Sequence, residues 1–181
     1  MKTLFSKAFS FIAATLLATT ATFCLTSCGD DDDELEQADN SKVGSGYVLL
    51  DANPTADMLK YCDLEMSVTD ELGVSKVFPV DSQEFSTKYQ LTRFPITVTI
   101  KYTLKLKSGA TPADDALVKY TTKSSYYVNT YRANGKAIES KGGQHTSSMD
   151  YTGKAFVERI GGRPDIWSKT YTIGADGLVI N

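Results

Sequence analysis

The strongest constraint on the fold is a segment near the middle of the chain in which apolar and polar residues alternate. It runs from Ile96 to Lys107 and reads Ile-Thr-Val-Thr-Ile-Lys-Tyr-Thr-Leu-Lys-Leu-Lys. Successive side chains of a strand point to opposite faces, so the apolar residues share one face and the polar residues the other. One buried and one solvated face are typical of an antiparallel sheet. We therefore predict a core strand of an antiparallel β structure here.

Shorter segments with strand-like sequences lie on both sides of this strand and are separated by residues that favour turns. The predicted strands are residues 47–50, 61–69, 74–80, 125–133, 136–141, 151–160, 167–173 and 178–180. Pro79 places the third of them at a sheet edge. Asn134-Gly135 predicts a two-residue turn that pairs Tyr131 with Ile138. Many short strands joined by turns predict an antiparallel β-sandwich, immunoglobulin-like or similar, with a small β-barrel as the alternative.

Three further segments are predicted not to be strands. Asp51 to Pro54 is expected to end the first strand, and Asn53-Pro54 is suited to cap a helical turn. Thr111-Pro112, followed by two aspartates, predicts the start of a second short helix. Gly142 to Asp150 is polar and is expected to be mobile.

The N-terminal residues have the three parts of a secretory signal, with Lys2 and Lys7 before an apolar stretch and small residues after it. The signal ends in Leu25-Thr26-Ser27-Cys28, which resembles the lipobox of bacterial lipoproteins. The resemblance implies that the Cys28 thiol receives a diacylglycerol and that the chain is cut just before it. A second acyl chain then makes the attachment lasting, since each buried methylene contributes roughly 0.8 kcal/mol.

Two alternatives to this interpretation remain open. The apolar stretch is close to the roughly 20 residues that span a bilayer and would then stay as a transmembrane anchor. Its serines and threonines fit a cleaved signal better. Cys24 would be the other lipidation site, but Phe23 precedes it where a small residue is expected.

The segment after Cys28 is strongly acidic, since residues 28–40 hold seven acidic residues and no basic one. Such a block repels itself and predicts a disordered tether. It is also similar to the acidic export signal of lipoproteins that reach the exterior of the outer membrane; a periplasm-facing lipoprotein is the alternative. The predicted organisation is a signal peptide at 1–27, a tether at 28–46 and a β-sandwich domain at 47–181.

The domain itself shows no sign of chemistry or of nucleic-acid binding. Residues 41–181 hold 17 basic and 15 acidic residues, without the basic stripe that nucleic acid requires. His145 is the only histidine, and Cys62 has no partner once Cys28 is lipidated, so we predict no catalytic residue, metal site or cofactor. Asp70-Glu71 and Asp114-Asp115 are expected at a turn and at a helix start.

Two features are candidates for binding a glycan or a protein. Trp167 is the only tryptophan, and aromatic rings on an exposed sheet face can stack on sugars or anchor an interface. Arg159 and Arg163 flank Gly161-Gly162 in a basic loop that could meet an anion. For both features, a purely structural role is the competing interpretation.

These observations predict a lipid-anchored lipoprotein of the outer membrane, facing the cell exterior and acting as a non-catalytic binding or structural module. The membrane is its partner through the lipid on Cys28. One alternative is a small hydrolase acting on polysaccharide, which would need carboxylates across one aromatic-lined cleft. Another is an adhesin or fimbria-like subunit, which would need an exposed or donated edge strand near one terminus. Residues 41–181 resemble no known family.

Overall fold

A computed structural model describes residues 42–181, and the predicted signal peptide, Cys28 and the acidic run lie outside these residues. The elements are β1 (Val43–Pro54), α1 (Ala56–Tyr61), β2 (Cys62–Asp70), β3 (Ser75–Pro79), β4 (Phe85–Leu91), β5 (Ile96–Leu106), β6 (Leu117–Arg132), β7 (Ala137–Thr152), α2 (Gly153–Gly162), β8 (Asp165–Ile173) and β9 (Val179–Ile180).

The strands form two antiparallel sheets. Sheet A has the order β4-β1-β6-β7, and sheet B has the order β3-β2-β5-β8-β9. One hydrophobic core takes residues from both sheets and from both helices. The predicted β-sandwich is therefore confirmed, and the two sheets do not close into the small barrel that was the alternative.

The alternating segment is the central strand of sheet B, as predicted. β5 pairs with β2 on one side and with β8 on the other. Its inward residues from Ile96 to Leu104 are each at most 3% exposed, and the threonines and lysines between them face solvent. Strand β3 lies at the edge of the same sheet, as Pro79 predicts.

Strand β1 is longer than predicted at both ends. It begins at Val43, so residues 43–46 belong to the sheet rather than to the tether, and it continues through the segment expected to break it. The reason is pairing with β6, which runs from Val43 to Pro54. A Cβ at Gly44 would lie 2.5 Å from the Ala133 Cα, and one at Gly46 would lie 3.0 Å from the Asn129 carbonyl oxygen. These glycines permit close strand contact.

The hairpin around Asn134-Gly135 exists, but its predicted register is wrong. The Gly135 N–H donates to the Arg132 carbonyl, and the Arg132 N–H donates to the Lys136 carbonyl, so the loop has three residues. Gly135 has a φ of 79°, as the last residue of such a loop requires. Tyr131 consequently pairs with Ala137 instead of Ile138.

The same hairpin also contains a segment predicted to be mobile. Gly142–Asp150 forms most of strand β7, which pairs with β6 along its length. β7 is an edge strand, and none of its residues is fully buried. An edge strand of this kind needs no apolar face, which is why its polar composition resembles a loop.

Both helices differ from their predictions. α1 is capped by the hydroxyl of Thr55, which accepts from the Met58 N–H, rather than by Asn53-Pro54. The predicted helix at Thr111-Pro112 is a turn, and a helix instead occupies all but the first two residues of the segment predicted as strand 151–160. This helix, α2, is capped by Thr152 and buries Phe156 and Ile160 on one face. The four-residue spacing of those two side chains is a helical signal.

A charge cluster holds the loops at the end of the sandwich where β1 begins. The Arg93 guanidinium lies 3.1 Å from the Asp70 carboxylate and 2.9 Å from that of Glu71. Burial opposes the ionisation of Asp70, but the N–H groups of Val74 and Leu72 and the Arg93 guanidinium outweigh it and lower its pKa. The backbone N–H groups of Glu71 itself and of Thr97 lower the pKa of the Glu71 carboxylate.

This cluster predicts an acid-sensitive contribution to stability. Because both pKa values are lower in the folded chain, the contribution is present above the usual carboxyl pKa of about 4 and is lost as the pH falls through the folded values. Arg93→Gln should therefore lower the melting temperature at pH 7, and the difference from the parent should shrink at pH 3. Thermal unfolding followed by circular dichroism at pH 7 and at pH 3 measures the difference in melting temperature between the variant and the parent. A difference that is unchanged at pH 3 would contradict this assignment.

Candidate functional site

Trp167 lies in the core and not on the binding surface expected of it. Its side chain on β8 is 8% exposed, and its indole N–H donates to the Ser124 hydroxyl at 2.8 Å. Its ring lies 4.6 Å from that of Tyr126, between centroids. Because the ring and its one donor are occupied inside the sandwich, the interpretation of Trp167 as a surface binding residue is wrong.

Arg159 and Arg163 lie at the C-terminal end of α2 rather than in a hairpin loop. The Arg159 guanidinium donates to the Arg163 carbonyl at 3.3 Å and lies 5.9 Å from the centroid of the Tyr120 ring. Arg159 is thus half-buried against the sandwich, whereas Arg163 is exposed. The structure places one of the two arginines, Arg163, where it can meet a solute.

Pro164, the residue after Arg163, lines a furrow across the end of sheet B where β2 begins and β5 ends. Three adjoining cavities of about 210, 400 and 280 Å³ form it. Asp63, Glu65 and Lys105 line it from the strands, and Gly161 and Pro164 line it from the α2 side. None of its lining residues is aromatic, so it lacks the sugar-stacking surface that a polysaccharide cleft requires.

The remaining candidates for chemistry are dispersed. Burial raises the pKa of the Cys62 thiol to about 12, so this thiol stays protonated. His145 is half-buried on β7 opposite Ser124, whose hydroxyl already accepts from the Trp167 indole. Among residues 42–181, no three histidine, cysteine or acidic side chains come together in a way that could hold a metal ion. Nor does any helix in that range have the length and apolarity to cross a membrane.

A different surface concentrates aromatic side chains outside the core. The outer face of sheet A carries Tyr47 on β1 and Tyr127 and Tyr131 on β6, all half-buried, with Leu49 and Asn129 between them. We call these five residues the tyrosine face. Its neighbours in the register are Lys88 and Gln90 on β4 and Ser140 and Gly142 on β7. The face therefore lies on the two inner strands of sheet A, and these neighbours lie on its two edge strands.

Tyr47 and Tyr131 form a stacked pair of rings. Their ring centroids are 5.8 Å apart, the ring planes are inclined by 20°, and their hydroxyls are hydrogen-bonded at 3.1 Å. This bond to Tyr47 raises the pKa of the Tyr131 phenol. The Lys88 ammonium lies 4.8 Å from the centroid of the Tyr47 ring. Two rings are thus held nearly parallel, and a cation lies over one of them.

Tyr127 is supported by a glycine on the neighbouring strand. A Cβ built on Gly142 would lie 2.8 Å from Cδ1 of the Tyr127 ring. The ring therefore leans over Gly142, where any side chain would displace it.

The alternation of β6 contains the signal that could have located this face. Tyr126, Val128 and Thr130 are buried, so Tyr127 and Tyr131 must face outward. The sequence does not reveal which strand pairs with β6, because Tyr47 and Tyr131 are 84 residues apart.

No protein-family model, no curated protein and no solved structure matches this chain.

Proposed function

We infer that the protein is a lipid-anchored lipoprotein of the cell envelope that faces the exterior of the outer membrane and binds a partner without catalysis. The tyrosine face is the observation that carries the binding function. The proposed attachment rests on the sequence Leu25-Thr26-Ser27-Cys28. The proposed location rests on the acidic residues that follow this sequence.

The arrangement of polar groups favours binding over hydrolysis. Asp70 and Glu71 are engaged by Arg93 at a turn. Asp63 and Glu65 extend into the furrow from a single strand, and no aromatic ring lines that furrow. The tyrosine face, by contrast, carries no carboxylate. Asp63 and Glu65 thus lie on sheet B and the tyrosine rings on sheet A, whereas a polysaccharide hydrolase needs paired acids and rings in one cleft.

The fimbria-like alternative would require an edge strand that can be exchanged. β9 is a two-residue edge strand near the C-terminal end of the sequence. Its Val179 N–H donates to the Glu139 carboxylate, and the Lys141 ammonium donates to the Val179 carbonyl at 3.1 Å. Side chains of β7 thus occupy backbone groups that strand exchange would need, which favours the binding module.

The attachment and the location are tested together on intact cells. Protease added outside should degrade the parent domain, and a lipid label should be incorporated into the parent protein but not into Cys28→Ala. Cys24→Ala is the matched control and should keep both the label and the location. We expect the Cys28→Ala domain to be released from the membrane fraction in a folded state, because every described strand and the whole core lie within Val43–Ile180.

Two results would contradict the proposal. Labelling that persists in Cys28→Ala would rule out this cysteine as the lipidation site. Protection of the domain until the outer membrane is broken would place it on the periplasmic side and remove the surface location.

A further inference from the structure

We propose that the end of the sandwich where β1 begins rests on the lipid surface to which the protein is anchored, with aliphatic side chains of two turns inserted among the lipids. This anchor end comprises residues 42, 70–74, 92–95, 132–136 and 174–178. The inference rests on the proposed lipid attachment and adds a second membrane contact, made by the folded domain. It places the furrow and α2, which lie at the opposite end, away from the membrane.

Four turns meet at the anchor end, around the first residue of β1. The Val43 N–H donates to the Ala175 carbonyl in the β8–β9 turn at 3.3 Å, and Val43 pairs with Arg132 at the end of β6. The Arg93 guanidinium, in the loop between β4 and β5, binds Asp70 and so links that loop to the β2–β3 turn. Turns of both sheets therefore surround the point at which the N-terminal chain enters the fold.

Exposed aliphatic side chains are concentrated at this end. Among residues 42–181, seven large hydrophobic side chains are exposed, and three of them lie in the turns of the anchor end. These are Leu72, Val74 and Leu178, at 72%, 59% and 51% exposure. Two more, Val77 and Ile180, lie on the edge strands that adjoin the same turns. Because turns usually expose glycine or small polar residues, three aliphatic side chains in two turns of one end indicate an apolar partner.

Both turns are braced so that the aliphatic residues stay at their tips. The Asp70 carboxylate accepts from the Leu72 N–H at 3.0 Å and from the Val74 N–H at 2.9 Å. In the other turn, the Asp176 carboxylate accepts from the Leu178 N–H at 3.1 Å. The backbone N–H groups of all three aliphatic residues are thus bonded within the protein. Insertion of their side chains into lipid leaves none of these donors without a partner.

The position of the anchor makes a lipid surface the occupant of this end. Between Cys28 and Val43 lie 14 residues, and a fully extended chain of that length spans roughly 50 Å. The anchor end is therefore confined close to the membrane, at an effective concentration on the order of millimolar, and weak apolar contacts suffice to hold it there. With four basic and three acidic side chains, this end does not repel an anionic lipid surface.

A fluorescent probe on vesicle-bound protein tests the proposal. The Cys28→Ala protein (residues 28–181) carries an N-terminal hexahistidine tag, which binds it to vesicles of phosphatidylethanolamine, phosphatidylglycerol and a nickel-chelating lipid. The fluorophore NBD is attached to the one accessible cysteine of Leu178→Cys or of Leu117→Cys, because Cys62 is buried. Quenching by doxyl-labelled lipids is measured against the same vesicles without doxyl groups. We expect quenching of the probe at position 178 and none at position 117.

Leu117 is the matched control position. Its side chain is 66% exposed, close to the value for Leu72, but it begins β6 at the opposite end of the sandwich. With the probe at position 178, Leu72→Gln should lower the quenched fraction by about two- to tenfold, because it removes one of the inserted side chains. Leu117→Gln should leave the quenched fraction unchanged.

Three results would overturn the proposal. The first is a probe at position 178 that doxyl lipids do not quench, and the second is equal quenching at position 117. The third is a blue-shifted emission at position 178 that is present without vesicles and disappears on dilution, since a second copy of the chain would then be the occupant. The tag replaces the natural anchor, so these results are independent of the test of lipidation and surface location, and the two proposals can fail separately.

Discussion

Replacing Trp167 with alanine is expected to lower the free energy of unfolding by about 3–5 kcal/mol, the usual range for truncation of a large aromatic core residue. The indole joins the two sheets. It contacts Tyr102 on its own sheet and Tyr126 on the facing one, with ring centroids 6.2 and 4.6 Å away. Its loss leaves a cavity and also removes the hydrogen bond that Ser124 accepts.

Urea unfolding followed by far-ultraviolet circular dichroism measures this effect, since Trp167 is the only tryptophan and its fluorescence is lost in the variant. Trp167→Phe is the control and should cost less, because a ring still fills part of the site. A loss below about 1 kcal/mol for Trp167→Ala would mean that the site collapses without a cavity and that the ring contributes little to the core.

The second large effect is expected at Gly142, where alanine should destabilise the fold by about 1–3 kcal/mol. The added Cβ would lie 1.9 Å from the Tyr126 carbonyl oxygen and 2.8 Å from the Tyr127 Cα. Both atoms belong to the backbone of the neighbouring strand and cannot rotate away. β7 would have to move off β6, which would also shift the Tyr127 ring.

Gly143 provides a matched control one residue further along. A Cβ there would lie 3.0 Å from the Tyr126 hydroxyl, which is the end of a side chain and can shift. Gly143→Ala should therefore cost less than Gly142→Ala in the same urea titration. If the two variants lost the same free energy of unfolding, the cost would come from placing alanine in this strand and not from the contact with Tyr126 and Tyr127.

The parts of the fold that could be predicted are those in which local pattern and burial agree. β5 alternates without interruption because one face lies on the core and the other faces water. The Asp70–Gly73 turn and the edge position of β3 also follow from short-range chemistry, since a Gly with φ of 79° and a proline need no distant partner.

The parts that could not be predicted depend on distant neighbours. β7 buries no residue fully, so nothing in its own sequence distinguishes it from a loop. The 151–160 segment contains β-branched residues that suit a strand, but the core contact of Phe156 and Ile160 requires a helix. The tyrosine face was missed for the same reason, because its residues come from two strands, β1 and β6, whose pairing cannot be read from the sequence.

The position of β1 also determines how the domain resists a pulling force. Any load that arrives from the N-terminal side enters the domain through Val43, the first residue of an inner strand. β1 is paired with β4 at seven positions and with β6 at eleven. A pull along the strand axis must shear both ladders at once, whereas an edge strand could be unzipped one hydrogen bond at a time. A partner bound to sheet A would thus be held through an inner strand that is paired on both sides.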